Sequence, residues 1–164
     1  MDATMESRAK PVVRPYRVED RGAVVQMLAD SDPWKRLGYT AADWERLFAS
    51  PPADREAFVI EMDGAVAGIA LLRPKVLLGD YLELLAVAPG ARGNGLGSTL
   101  LRHVEMQVFL RSKNFYACVS DFNHQARRFY ARHGFQEIGP IPNLLIHGSA
   151  EILMRKTMGP AQKS

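Results

Sequence analysis

Val87-Ala88-Pro89-Gly90-Ala91-Arg92-Gly93-Asn94-Gly95-Leu96-Gly97-Ser98 is the segment on which the reading of this chain turns. Before it lies Tyr81 to Ala88, apolar enough for a central strand. After it, from Gly95 to about Leu110, Leu96, Leu100, Val104 and Val108 recur at helical spacing. A glycine-rich turn between a strand and a helix is the setting a phosphate cradle requires. Glycine has no Cβ, so the backbone can take left-handed angles and approach a ligand closely. The first N–H groups of the helix lack internal partners, and with the positive end of the helix dipole they attract an anion. Three phosphate patterns compete for the segment. A Walker A loop ends in Gly-Lys-Ser/Thr, whereas Gly97-Ser98-Thr99 has no lysine. A Rossmann fingerprint spaces its glycines Gly-x-Gly-x-x-Gly, whereas here they run Gly93-x-Gly95-x-Gly97. It also needs an acid ending the next strand about 20 residues on, and that strand ends too late, at Val119. The third pattern, Arg/Gln-x-x-Gly-x-Gly/Ala, fits Arg92-Gly93-Asn94-Gly95-Leu96-Gly97. The alternative is a glycine-rich turn that holds no ligand.

A second motif follows in Val119 to Phe135. Asn123 stands where a helix cap belongs, Ala126 and Tyr130 are four apart and share a face with Phe129, and Gly134-Phe135 leads into a strand. Together the segments resemble the GNAT family of acyl-CoA-dependent N-acyltransferases. The shared features are the Val-x-Pro entry at Val87-Ala88-Pro89, the glycine loop, Asn-x-x-Ala-x-x-x-Tyr from Asn123 to Tyr130, and Gly134-Phe135. A last strand with Met154 before Arg155-Lys156 also fits. The resemblance is strong over residues 81 to 135 and weaker elsewhere.

The resemblance implies acetyl-CoA as acyl donor, its pyrophosphate on the amides of Arg92, Gly93, Asn94, Gly95, Leu96, Gly97 and Ser98. It implies backbone N–H groups around Ala86 and Val87 as oxyanion donors, Asn123 as a further CoA contact, and Tyr130 beside the thioester sulfur. Asn123 as a mere cap and Tyr130 as an ordinary core aromatic are the alternatives.

Outward from this centre the remaining elements fall into place. Val12 to Tyr16 suits a first strand. Asp20 then sits at a helix-capping position ahead of Val24, Val25, Leu28 and Ala29, and Ser31-Asp32-Pro33 ends that helix. Ala41 to Phe48 suits a second helix with Trp44, Leu47 and Phe48 on one face, closed by Ser50-Pro51-Pro52. Ala57 to Met62 and Ala65 to Leu72 flank Asp63-Gly64, a favoured type I′ hairpin turn. Phe115 to Val119 reads as a strand, Asn123 to His133 as a helix, Phe135 to Ile138 as a strand, Gly139 to Ser149 as a long loop and Glu151 to Lys156 as the last strand. The fold expected is α/β: about seven strands in a mixed, partly antiparallel sheet flanked by about four helices. One domain spans 11–158, with loose tails at 1–10 and 159–164.

Composition narrows the function. The 164 residues carry a net charge of +3, with 47% hydrophobic and 24% charged residues. Acids interleave with bases, as in Arg17-Val18-Glu19-Asp20-Arg21, so no nucleic-acid partner is expected. No apolar run approaches the ~20 residues of a membrane span, and no secretory signal is visible at the start. Cys118 is the single cysteine, which suits a reduced, cytoplasmic protein. The four histidines have no metal-site spacing, so no metal is expected.

Acyl transfer to an amine needs a deprotonated nitrogen, a polarised carbonyl and a stabilised thiolate. There is no Gly-x-Ser-x-Gly elbow, and Cys118 lies in an apolar strand where thiols are inert, which suits direct transfer. Tyr130 would serve the thiolate. Glu83, on the strand before the loop, is the candidate base, with a charge satisfied by its neighbours as the alternative; Asp121 is a second candidate, with a turn role as its alternative. The acceptor pocket falls by resemblance to residues 30–39 and 140–147, with Trp34 and Tyr39 as candidate walls, covering the core being their alternative, and Asp30 and Asp32 as acids to attract a cationic amine, with a capping or surface role as theirs. The acceptor itself is left open among a small amine, an aminoglycoside-like polyamine and a peptide or protein amine. A non-catalytic acyl-CoA-binding module and a transferase of another acyl group also stay open, and the sequence does not decide whether the protein forms a homodimer.

Overall fold

In the computed structural model, which describes residues 9–162, the strands are β1 Val12–Pro15, β2 Glu56–Met62, β3 Ala65–Val76, β4 Gly79–Val87, β5 Asn114–Ser120, β6 Gln136–Pro142 and β7 Ala150–Thr157. The helices are α1 Arg21–Ala29, α2 Ala41–Ala49, α3 Leu96–Phe109 and α4 His124–Arg132. The seven strands form one mixed sheet in the order β1-β2-β3-β4-β5-β7-β6. β4 and β5 are the parallel pair, as the strand–helix–strand crossover through α3 requires, and the other neighbours are antiparallel. The element order matches the expectation from sequence. Of the two expected tails, residues 1–8 and 163–164 lie outside the described residues.

Each face of the sheet carries its own core. Leu96, Leu100, Val104 and Val108 of α3 are buried against Ile60, Leu72, Leu82 and Phe115. On the opposite face Val24, Val25 and Leu28 of α1 and Trp44 and Phe48 of α2 pack on Val59, Ile69, Leu71, Leu84 and Ala86. Alternate residues of β2, β3 and β4 thus feed two cores, so these strands are apolar throughout.

Local chemistry sets most boundaries. Thr40 caps α2 in a reciprocal box: its hydroxyl accepts from the Asp43 N–H while Asp43 accepts from the Thr40 N–H. Asp63 and Gly64 both take positive φ, 52° and 78°, as a type I′ turn demands. Asp20, however, does not cap α1. Its two carboxylate oxygens take the Arg14 guanidinium at 2.8 Å each, and one also accepts the Arg17 N–H, closing a 3-10 turn at Val18–Asp20. β3 runs four residues beyond the expected Leu72, and turns into β4 through Leu77 and Leu78, both with positive φ. β6 likewise continues through Pro142, where a loop was expected. As the outer strand it tolerates Pro140 and Pro142, which lack N–H donors, and Ile138 bulges out between Glu137 and Gly139.

The irregularity that matters most lies in β4. Leu82 pairs with Leu72 and Leu84 with Leu71, so Glu83 is an extra residue in the strand. A bulge bends its strand. Pairing between β4 and β5 accordingly stops at Leu82 and Ala117, although β4 continues to Val87. Past that point the two strands diverge and leave a gap in the middle of the sheet.

Candidate active site

The gap has a donor edge. Ala88 donates its N–H to Ala67 across the β3 ladder, so strand alternation turns the Ala86 N–H towards β3 as well. The N–H groups of Leu85 and Val87 then face the gap. Of the two residues expected around the oxyanion, Val87 turns its N–H to the gap and Ala86 turns its N–H to β3, while Leu85 adds a second N–H on the gap side.

The glycine loop stands at the open end of the gap. After a 3-10 turn at Pro89–Ala91, Arg92 is extended, and Gly93 and Gly95 take φ of 80° and 72°. Gly95 is the N-cap of α3 and has no side chain to bond the first turn. The first helical bond runs from the Thr99 N–H to the Gly95 carbonyl. The N–H groups of Leu96, Gly97 and Ser98 therefore keep no partner inside the helix. Arg92 to Gly95 are exposed, whereas the Leu96 side chain is buried and anchors the turn. Asn94 donates to the Ala91 carbonyl at 3.0 Å, so its side chain holds the loop's shape. The Arg92 guanidinium lies 3.4 Å from the Val87 carbonyl, too long for a firm bond, and is free to turn to an anion. Exposed donors, a positive helix end and an arginine fit a pyrophosphate.

Inside the gap is a cavity of about 350 Å³. Tyr81 and Glu83 of β4, Cys118 and Ser120 of β5 and Glu151 of β7 line it from the sheet. Trp34, Tyr39 and Trp44 form an aromatic wall, Trp34 edge-on to Trp44 and Tyr39 stacked on it at 5.0 Å. The Arg36 guanidinium sits 3.8 Å over the Phe122 ring, tying this wall to the start of α4. Leu145 represents the expected 140–147 segment, and neither Asp30 nor Asp32 reaches the lining.

Tyr130 enters from the other side. Its ring belongs to the core under α3 and α4, edge-on to Phe129 and Phe135 at 5.3 Å each, yet it lines the same cavity because the sheet is open there. Burial raises the phenol above its ordinary value, and its hydroxyl bonds to no described residue. A neutral donor aimed into a cavity can stabilise a thiolate by hydrogen bonding. Full proton transfer from such a phenol to a thiolate, whose conjugate thiol has a pKa of ~8.5, runs uphill. Asn123 lines the cavity beside it and also caps α4, accepting the Ala126 N–H at 3.1 Å.

The carboxylates differ sharply. Glu83 is held between Arg55, at 2.9 Å on one oxygen, and Arg73, at 2.8 Å on the other. Asp121 is occupied by the Ala150 N–H and the Ser149 hydroxyl, which together hold its carboxyl below the usual range. Glu151, which the sequence reading passed over, is 5% exposed and accepts a 2.6 Å bond from the Ser120 hydroxyl. Burial lifts its carboxyl above the ordinary carboxylate range; Ser120 offsets part of that rise and the Asp121 charge adds to it. Cys118 lies against the Tyr81 hydroxyl, and burial raises its thiol, which opposes a nucleophilic role.

This architecture has close counterparts. A model described as "Acetyltransferase (GNAT) family" matches residues 22–135. The chain belongs to the GNAT acetyltransferase family. The "5-NmdU N-acetyltransferase" of Pseudomonas phage PaMx11 is 32% identical over 131 residues, covering 78% of this chain and 89% of that protein. Among solved structures, Ard1 from Thermoplasma volcanium superposes with a TM-score of 0.77 at 22% identity, over 93% of this chain and 100% of that one. An aminoglycoside 6'-N-acetyltransferase complexed with coenzyme A gives 0.72 at 17% identity, over 93% and 99%. At these identities the two structures share the fold.

Proposed function

We propose that this GNAT protein is an N-acetyltransferase that moves the acetyl group of acetyl-CoA directly to a primary amine of a small molecule or a peptide. The activity would reside in one domain spanning 11–158; the lone Cys118 suits a cytoplasmic setting, and no helix among the described residues is long and apolar enough to cross a membrane. The observation that carries the reading is the break in the sheet. Along it would lie an anion cradle, two backbone donors on the gap side, a buried phenol and an acid-bearing cavity.

Acetyl-CoA would supply an activated acyl carbon and a leaving thiolate. The chain's own groups then divide the work. Leu96, Gly97 and Ser98 N–H groups, with those of the preceding loop and Arg92, bind the pyrophosphate. Val87 and Leu85 N–H groups bind the thioester carbonyl oxygen; one such donor is worth ~10²-fold or more in rate. Tyr130 donates to the sulfur as charge gathers there. Asn123 holds the start of α4, and with it Tyr130, against the cleft. Glu83, paired with two guanidiniums, fixes the cavity wall; Glu83→Gln variants test its assignment as base. The phage relative, an N-acetyltransferase 32% identical to this chain, supports transfer to nitrogen.

The test is thiol release by the purified protein with acetyl-CoA and a panel of primary amines. Amine-dependent release of CoA is expected. Tight acetyl-CoA binding by calorimetry without release on any amine would instead make the protein a non-catalytic CoA-binding module.

A further inference from the structure

We propose that Glu151, steadied by Ser120, receives the ammonium of the acceptor and takes its proton, and that the acceptor is a monocationic primary amine on a flat apolar carrier. This deepens the acetyltransferase reading and rests on it.

Three observations converge on Glu151. First, it is the carboxylate in the cavity that no cation neutralises. Its hydrogen-bond donor is the Ser120 hydroxyl on Oε1, and no lysine or arginine pairs with it among the described residues. Glu83 offers a positive amine little, because Arg55 and Arg73 already occupy both its oxygens. A buried carboxylate without a counter-ion is costly, and a ligand cation would relieve that cost.

Second, its position is built. Ser120 and Glu151 are directly opposed in the β5–β7 ladder, so their side chains share the cavity face. The hydroxyl fixes one carboxylate oxygen and leaves the other for the amine. That face lies across the gap from the β4 donors, where a nucleophile must approach an acyl carbon bound at Val87.

Third, the rest of the cavity is not built for a polycation. The titratable groups facing Glu151 are Tyr39 from the α1–α2 segment, Tyr81 and Glu83 of β4, Cys118 of β5, Asp121 after it and Tyr130 of α4. The tyrosines and the thiol are neutral, their values raised first by burial, and Glu83 and Asp121 are committed to other partners. One free negative charge remains beside a wall of Trp34, Tyr39 and Trp44, suited to the face of a ring.

The step balances simply. The ammonium R–NH₃⁺ gives one proton to the Glu151 carboxylate, and from there it passes to solvent. The nitrogen lone pair forms the C–N bond to the acyl carbon, and the C–S bond breaks with its electron pair on sulfur. The second nitrogen proton ends on that sulfur, giving an amide, CoA thiol and one released proton.

The experiment uses the full chain with benzylamine and tyramine as monocationic ring amines, and spermidine and kanamycin as polycations. Ring amines are expected to have the higher kcat/KM. In Glu151→Gln, kcat/KM for them is expected to fall ~10²-fold or more while acetyl-CoA affinity is unchanged. Because the base must be deprotonated, wild-type kcat/KM falls as pH drops through the Glu151 titration; this acid limb disappears in Glu151→Gln and persists in Glu83→Gln. A wild-type rate or a retained acid limb in Glu151→Gln overturns the assignment, and preference for spermidine or kanamycin overturns the substrate class. Carbon-13 NMR of side-chain-carboxyl-labelled glutamate, with Glu151→Gln to assign the signal, supplies a readout independent of turnover. The Glu151 resonance is expected to titrate above the exposed glutamates and to shift on adding benzylamine. A resonance indifferent to both ring amines sinks the Glu151 proposal even if some other amine is acetylated. A shift without turnover on any amine sinks the acetyltransferase reading alone.

Discussion

Replacing Tyr130 with Phe removes one oxygen from a ring that is 8% exposed and keeps the edge-on contacts with Phe129 and Phe135 at 5.3 Å. The hydroxyl bonds to no described residue, so its loss orphans no buried partner, and the usual penalty for a half-broken hydrogen bond does not arise. The expected stability change is within about 0.5 kcal/mol, or a Tm shift within about 1–2 °C for a chain of this size. The rate is expected to respond quite differently. If the phenol stabilises charge that develops on sulfur, its removal costs ~10²-fold in kcat, equivalent to about 2.7 kcal/mol, all in the transition state. Acetyl-CoA affinity is expected to change less than about threefold, since the bound thioester carries little charge on sulfur. The assay pairs steady-state thiol release with calorimetric acetyl-CoA binding and a thermal melt on the same preparation. Equal turnover by wild type and Tyr130→Phe would refute the reasoning and return the residue to the core. A drop in Tm of more than about 5 °C would show that the hydroxyl has a structural partner.

Other perturbations separate cradle from scaffold. Gly95→Val introduces no Cβ clash, since nothing lies within 4 Å, but forces a β-branched residue to a φ of 72° at the cap of α3. Acetyl-CoA affinity by calorimetry is expected to fall at least tenfold, and an unchanged value in a folded variant would remove the pyrophosphate from this loop. Asp20→Asn weakens the buried pairing with Arg14 and is expected to cost about 1.5–3 kcal/mol in urea unfolding, with CoA binding intact. Arg14 holds the Asp20 carboxyl below its usual range, so this contribution is present above the ordinary aspartate range and is lost as pH falls through the depressed value; a wild type and variant differing equally at all pH values would contradict that linkage. Acetyl-CoA at a hundred times its Kd is expected to stabilise the fold by about 2.7 kcal/mol, raising Tm by roughly 5–10 °C, and no shift would deny a specific folded-state site.

Much of this was legible in the residues because local signals agreed with the tertiary arrangement. The α3 stripe, the Asp63-Gly64 turn and the Asn123 cap each specify one local geometry, and each is found. What escaped depended on neighbours distant in sequence. Pro140 and Pro142 read as loop until β6 is known to be an outer strand. Leu77 and Leu78 carry no turn signature, yet the hairpin drives both to positive φ. Asp20 looks like a cap until Arg14 is folded beside it. The bulge at Glu83 is a property of the pairing with Leu71 and Leu72, which alternation within β4 alone does not reveal. Glu151 opens an apolar strand and looks incidental; only the register that sets it opposite Ser120 gives it a place in the cleft.

Unpaired strand backbone is usually a hazard, because it offers a template for other chains to join and so seeds aggregation. Here the open stretch at Leu85 and Val87 lies in the middle of the sheet, with β3 beside it, β5 across from it and helices on both faces. A strand from another molecule needs an accessible outer edge; of the two outer strands, β1 spans only Val12–Pro15, and β6 is blunted by Pro140, Pro142 and the bulge at Ile138. The protein thus keeps adhesive backbone available to a ligand while withholding it from copies of itself.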